Sequence, residues 1–340
     1  MLTAEQKEQI IDLAQEYEGA SKRWKTISEL TGIDKEVCRG VVNRAKKADK
    51  IENESKPVLP EIPDVDRGID EIISARIEES KRSKAFYEAS EDVEVKIRED
   101  KPYGLLFIGD PHMDNSGCDF ELLKHHMEIL AEVDGLYGIS IGDITDNWIG
   151  RLKEMYKKTS VNGGEILKLM RWYFDNPGHL AFVMGNHDLW NEGLVLIKQL
   201  TEGRNMLVAK DSGIKMKITS DLGGSVKVNC RHNFKGHSQF NPAFGPNKAA
   251  FQGDDSDILI QGHRHCFGST QYFNSNTGKL GHCSIVAGYK VNDSHSKQLG
   301  FGKSYQAPSM LYIIDPVDGV VGTGWTDIDK GVDYLNFLRK

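Results

Sequence analysis

The sequence lacks the features that would place it among membrane, disulfide-stapled or disordered proteins. No apolar run approaches the ~20 residues needed to cross a bilayer. The opening stretch MLTAEQKEQIIDLAQEYEG has none of the basic-then-apolar order of a secretory signal, so the expectation is a cytoplasmic protein without membrane contact. Cysteine is scarce: Cys38, Cys118, Cys230, Cys266 and Cys283 are odd in number and contain no C-x-x-C pair, which excludes a disulfide framework and a thiolate zinc site. There is no internal repeat and no low-complexity tract. A basic excess is missing too: the net charge is −7, distributed as +1 over residues 1–50, −6 over 51–101 and −2 over 102–340. The chain as a whole is therefore not an electrostatic nucleic-acid binder. What remains is 340 residues with 39% hydrophobic and 27% charged side chains and 34 glycines, the balance of a folded, turn-rich protein. Its length exceeds the usual single domain of about 100–150 residues, so an appendage or second domain is expected.

Helical spacing runs through Ile10, Ile11, Leu13, Ala14 and Tyr17, then through Trp24, Ile27 and Leu30, and after Thr31-Gly32 through Val37, Val41, Val42 and Ala45. Three helices with a short glycine turn resemble a helix-turn-helix unit over residues 1–50, whose third helix is the locally basic one. Lys35, Arg39, Arg44, Lys46 and Lys47 are its candidate nucleic-acid contacts; a small bundle for oligomerisation or packing is the alternative. Residues 51–101 read as a proline-containing linker, with three prolines in 51–65, followed by an amphipathic connecting helix through Ile69, Ile72, Ile73, Ile77 and Phe86.

From residue 102 to 340 the texture is α/β. Tyr103–Ile108, Leu136–Ile141, Leu180–Met184 and Ile258–Gln261 read as buried strands, with helices over 119–133, 163–175 and 192–201. Strand-like segments at 213–219, 225–231, 269–273, 283–287 and 309–314, without helices between them, predict additional antiparallel pairing.

Polar residues gather where these strands end: Gly109-Asp110-Pro111-His112, Gly142-Asp143-Ile144-Thr145-Asp146-Asn147, Gly185-Asn186-His187-Asp188, His232 and Gly262-His263-Arg264-His265. In open α/β sheets the carboxyl ends of strands line the ligand crevice. Imidazole, carboxylate and an amide carbonyl suit Mn²⁺, Fe or Zn²⁺ better than Mg²⁺ or Ca²⁺. Asp110, His112, Asp143, Asn186, His232, His263 and His265 are too many for one ion, and two adjacent ions sharing a carboxylate point to hydrolysis at phosphorus.

The ordered blocks D-x-H, G-D-x-x-D, G-N-H-D, a lone His and G-H-x-H resemble the calcineurin-like metallophosphoesterases over roughly residues 103–315. That resemblance implies a four-layer β-sandwich flanked by helices. It also implies Asp110, His112 and His265 on the first metal, Asn186, His232 and His263 on the second, and Asp143 between them. His187 would be the general acid for attack by a metal-bridged hydroxide, and Asp146 would orient His187 or a ligand. Arg231 and Arg264, which flank the ligands, are candidate phosphate clamps. His237 competes with His232 for the lone-His role, because Asn233 stands where many members have Gly. The Gly-Asp-Pro-His block with Asp114 and Gly117, and the stretch from His232 through Gly236-His237-Ser238 to Asn241-Pro242, further resemble bacteriophage-encoded members and DNA-repair exonucleases. For a phage protein the location would be the host cytoplasm, and dimers are common in that branch, so a homodimer is one assembly to consider.

The leading expectation is thus a two-metal, Mn²⁺-preferring phosphodiesterase acting on nucleic acid, DNA above all. The alternatives are a phosphoesterase for a nucleotide, cyclic nucleotide or phosphoprotein, and a DNA-binding regulator with a vestigial hydrolase domain.

Overall fold

The structure, a computed structural model, describes residues 2–55, 66–90, 93–150, 153–154, 160–275, 277–291 and 307–340. Ten of the linker residues expected between 51 and 65, namely 56–65, lie outside the described residues. The chain divides into two compact units, Met1–Ile73 and Ser74–Lys340.

In the first unit, α1 (Ala4–Glu16) starts at a capping box in which Thr3 and Gln6 exchange side-chain and backbone hydrogen bonds. Helix α2 (Arg23–Thr31) ends at Gly32, whose φ of 66° supplies the left-handed cap that a β-carbon would strain. Asp34 then accepts a hydrogen bond from Glu36 N and opens α3 (Lys35–Ser55). Ile10, Ala14, Ile27, Cys38, Val41 and Val42 form the common core. Helix α3 runs past residue 50 into the segment expected to be linker, because its first proline is not reached until residue 57. Helix α4 (Ile69–Ser90) falls where a connecting helix is expected, yet Ile69, Ile72, Ile73 and Ile77 are exposed and belong to neither core.

The second unit is built on two mixed six-stranded sheets. In chain order its elements are β1 (Val93–Lys96), β2 (Tyr103–Ile108), α5 (Phe120–Glu132), β3 (Leu136–Ser140), α6 (Gly163–Phe174), β4 (His179–Val183), α7 (Asn186–Leu189), α8 (Gly193–Thr201), β5 (Leu207–Ala209), β6 (Gly213–Thr219), β7 (Ser225–Arg231), α9 (Phe244–Phe251), β8 (Ile258–Gln261), β9 (Gly268–Asn274), β10 (Lys279–Ile285), β11 (Ser309–Asp315), β12 (Gly319–Trp325) and α10 (Ile328–Leu338). One sheet has the order β1-β6-β7-β8-β10-β9, the other β12-β11-β2-β3-β4-β5. The segment expected to be only a linker and helix thus also donates β1, which pairs in parallel with β6.

Alternation along each strand builds the layers. Leu105 and Phe107 of β2 and Met310 and Tyr312 of β11 point into the core between the sheets, with Val228, Ile258 and Ile260 opposite them. Their neighbours Leu106, Ile108, Leu311 and Ile313 face the other way, where Leu123, Met127, Tyr173, Ile197 and Leu335 pack on them from the helices. Helix α9 covers the far sheet through Ala249 and Ala250, which pack with Leu259 and Cys283. The result is helices, sheet, sheet, helix. Strand β2 is buried at every residue because both its faces are covered, which is why it reads as a continuous apolar run.

Phe107 is fully buried and stands edge-on to Tyr312 at 6.0 Å between ring centroids. Phe107→Ala should cost about 3–5 kcal/mol, seen as a lower denaturant midpoint; a loss under about 1 kcal/mol would mean that this layer is not close-packed.

Candidate metal centre

Parallel pairing brings the carboxyl ends of β2, β3 and β4 to one rim of their sheet, and those of β7, β8 and β10 to one rim of the other. The two rims meet. His232 Nδ1 donates to Ile141 O across the sheets at 2.7 Å, and His263 N donates to Asp110 Oδ2 at 2.8 Å. The backbone at this junction is contorted: His112, Asp143, His263 and His265 all have positive φ, between 44° and 68°. Non-glycine residues in that region cost of order 1–3 kcal/mol each and persist only where the surroundings enforce them. Two glycines of the motifs are required by close approach, since a β-carbon on Gly185 would lie 2.1 Å from Asp143 Oδ1 and one on Gly262 2.4 Å from Asp110 Oδ1.

Ligand-capable atoms converge in three groups among the described residues, Asp110 with His112 and His265, Asp143 with His232 and His263, and His112 with Asp146 and His187. In the first, His112 Nε2 and His265 Nε2 are 3.2 Å apart and His265 Nε2 is 3.5 Å from Asp110 Oδ2. In the second, His232 Nε2 lies 3.0 Å from His263 Nδ1, 3.1 Å from Asn186 Oδ1 and 3.2 Å from Asp143 Oδ2. With its Nδ1 proton given to Ile141 O, His232 presents Nε2 to three ligand-capable atoms within 3.2 Å. One Nε2 proton could serve only one of them, whereas a cation is surrounded by several such atoms at once. Asp110 Oδ1, fully buried, has no hydrogen-bond partner among the described residues. These donors fit divalent metal ions.

The electrostatics divide the groups. Burial pushes the Asp110 carboxyl up to about 7 against the opposing charges of His232 and His112. Asp143 is also opposed by burial, but the hydrogen bond and charge of His232 outweigh it and hold the carboxyl below its usual range. His263 is brought down to about 4 by burial and by the charge of His232, and His265 falls well below the ordinary histidine value by burial and the neighbouring His112. Burial opposes the charged form of His232 and His112 as well, yet Asp143 and Asp110 push His232 up to about 10 and Asp146 raises His112; His263 and His265 are the two in the neutral form that binds metal.

Around the ligands lies a layer of positioning groups. Asp146 Oδ1 stands 2.8 Å from His112 Nδ1, and its backbone carbonyl accepts a hydrogen bond from His187 Nδ1. His187 Nε2 therefore faces the cluster, 4.0 Å from Asp143 Oδ2, with its ring between Trp190 (4.1 Å) and Trp148 (5.2 Å). Three groups missed by the sequence reading take part. Asp188 accepts from Gly185 N, Asp143 N and Ile144 N, tying the loops after β3 and β4 together. Asp114 accepts from Asp146 N at 2.6 Å, and Lys290 Nζ lies 3.5 Å from Asp146 Oδ1. The fourth position of G-N-H-D was a signal for Asp188; nothing local marks Lys290.

No protein-family model matches the sequence, and no curated protein matches it. Among solved structures the chain is similar to a single mutant of Vps29 from Entamoeba histolytica, at 15% identity over 65% of this chain and 98% of that one, with a TM-score of 0.35. It is also similar to the calcineurin-like phosphoesterase YfkN from Bacillus subtilis (13% identity, 71% and 99% covered, TM-score 0.29) and to the nuclease MPE from Pseudomonas putida (13%, 65% and 86%, TM-score 0.29). Overlaps this partial say nothing of the chemistry, which the side chains carry.

Two expected clamps are less engaged. Arg231 lies over the Phe234 ring at 5.8 Å and against Gly213, and no described contact joins it to the ligands. Arg264 donates to Gly236 O at 3.4 Å from its place between His263 and His265. His232 is 2% exposed within the cluster, whereas His237 is exposed to solvent. Lys35, Arg39, Arg44, Lys46 and Lys47 are all exposed on α3, though Arg39 pairs with Glu36 and Lys46 with Glu18.

Removing the Asp188 carboxylate strands three backbone donors at the Asp143 turn. Asp188→Ala should lower bound metal per chain well below that of the parent while the chain still folds, as read by elemental analysis beside circular dichroism. In the same assay His232→Ala should lose metal and His237→Ala should retain it; the reverse result would reassign the ligand.

Proposed function

We propose that this protein is a two-metal-dependent phosphoesterase that hydrolyses phosphodiester bonds in nucleic acid. The observation that carries the reading is the ring of ligand-capable atoms around His232 Nε2 beside the group at Asp110, two adjacent candidate cation sites at one rim. Asp110, His112 and His265 would hold one ion, Asn186, His232 and His263 the other, with Asp143 shared. Mn²⁺ is the proposed metal, Fe or Zn²⁺ being compatible with the same donors. Ions there would supply polarisation of phosphoryl oxygens and a lowered pKa for the attacking water.

The chain's own groups do the rest. Asp146 O takes the Nδ1 proton of His187 and so aims Nε2 at the cluster; the imidazolium form would carry there the proton given to the leaving oxygen. Trp148 and Trp190 fix the tilt of that ring, and Asn147 Nδ2 donates to the carbonyls of His187 and Trp190, locking the loop that carries it. The exposed face of α3, with Lys35, Arg39, Arg44, Lys46 and Lys47, is proposed to grip the nucleic-acid backbone.

A second reading, hydrolysis of a nucleotide-sized ester, is favoured by the net charge of −7 and by the ion pairs that occupy Arg39 and Lys46. The intact ligand set argues against a vestigial hydrolase.

Purified protein with Mn²⁺ should cleave labelled single- or double-stranded DNA and bis(p-nitrophenyl) phosphate. Asp143→Asn should abolish both activities and lower metal content, and retained turnover would overturn the two-metal assignment. Dye-ester hydrolysis without DNA cutting would select the second reading. His187→Ala should slow turnover roughly 10²- to 10⁴-fold with both metals still bound; loss of metal instead would make His187 a ligand.

A further inference from the structure

The loop that leaves β7 at His232 and enters α9 at Phe244 is pinned along its length yet presents a bare aromatic ring. At its base Phe234 is buried, and its backbone N–H donates to Gln261 Oε1 at 2.8 Å. Arg264 Nη2 donates to Gly236 O. Gly236, at φ 146°, sits where a β-carbon would come within 3.0 Å of the Phe244 ring. At the far end Pro242 packs so closely on Gly268 that a β-carbon there would lie 2.7 Å from it. Both halves of the loop are thus anchored on residues 261–268, the segment that carries His263 and His265. Between the anchors Ser238 Oγ accepts from Phe240 N and Asn241 N, each at 3.2 Å, and closes a tight turn.

Phe240, within that turn, is 96% exposed. The flanking Asn233, Lys235, His237 and Gln239 are exposed and polar, and the other exposed aromatic of the segment, Phe244, lies against Gly236. Phe251 and Phe273, also exposed, lie near the starts of β8 and β10, at the rim opposite the ligands. An exposed ring on a turn whose loop is anchored to the segment carrying His263 and His265, with Lys235 exposed on the same loop, matches a stacking platform for a base whose backbone runs past a cation.

We propose that Phe240 stacks on an unpaired nucleobase next to the scissile diester, which makes single-stranded nucleic acid or a frayed end the preferred substrate. The proposal rests on the phosphodiesterase reading above.

The full chain with Mn²⁺ tests it, using a single-stranded oligonucleotide and bis(p-nitrophenyl) phosphate in parallel. Phe240→Ala should raise KM for the oligonucleotide roughly 5- to 100-fold relative to its effect on the small diester, the range of one lost base stack, while Phe240→Trp should restore it. Binding of a methylphosphonate-linked oligonucleotide with 2-aminopurine at the stacked position should quench its fluorescence in the parent and not in Phe240→Ala. An abasic residue at that position should erase the difference between the two proteins. Equal KM ratios, quenching that survives in Phe240→Ala, or an equal loss on the abasic strand would overturn the stacking role while leaving nuclease activity standing. A parent that hydrolyses the small diester and not the oligonucleotide would overturn it together with the nucleic-acid substrate, and a parent inert on both would overturn the phosphoesterase reading itself.

Discussion

Burying two carboxylates side by side where the rims of two sheets meet is the constraint on which this structure turns. Asp110 is wholly buried and Asp143 is 2% exposed, and each charge would be costly in that place unless compensated. The compensation comes from imidazoles delivered by the opposite sheet. His232 reaches Asp143 from β7 and its charge acts on Asp110 too, to which the turn after β8 gives a backbone N–H from His263. Neither sheet alone holds the site, and the site helps to hold the sheets together.

That arrangement has a cost in backbone conformation. Four of the seven ligand candidates occupy left-handed φ, which L-residues avoid unless neighbours enforce it. Enforcement is visible for Asp143, whose turn is fixed by the Asp188 carboxylate and by Gly185 pressed against its side chain. For His265 it comes from Gly288, where a β-carbon would lie 2.6 Å from the imidazole Nδ1. The strain lies where the ligand atoms must converge, the usual place for it in a functional site.

The N-terminal unit follows a different logic. Its small core of Ile10, Ala14, Ile27, Cys38, Val41 and Val42 leaves the basic side of α3 in solvent, so its charges are available for a partner except where Glu18 and Glu36 neutralise them. Exposed pairs of this kind are worth little, and a polyanion would displace them readily.

The sequence by itself determined the strands that run from full burial into a turn, because a continuous apolar run followed by Gly and a polar ligand type is a local signal: β2 and β8 occur with the bounds read from their residues. It also determined which residue types could meet at the strand ends. It did not reveal β1, β5, β12, α9 or α10. The short strands β1 and β5 are set by pairing with distant chain segments, β12 is the return arm of a hairpin with β11, and α10, although Ile328, Val332 and Leu335 repeat at helical spacing, stayed unread beside stronger motifs. Only tertiary structure separates His232 from His237, five residues apart, by aiming one ring at a carbonyl 91 residues away and leaving the other exposed. The same holds for Asp146, whose carboxylate and carbonyl serve two different histidines, and for Lys290, which reaches it from the far side of the chain. Ligand chemistry is a property of residue type and local spacing, whereas the direction of a lone pair is fixed by which strands lie side by side.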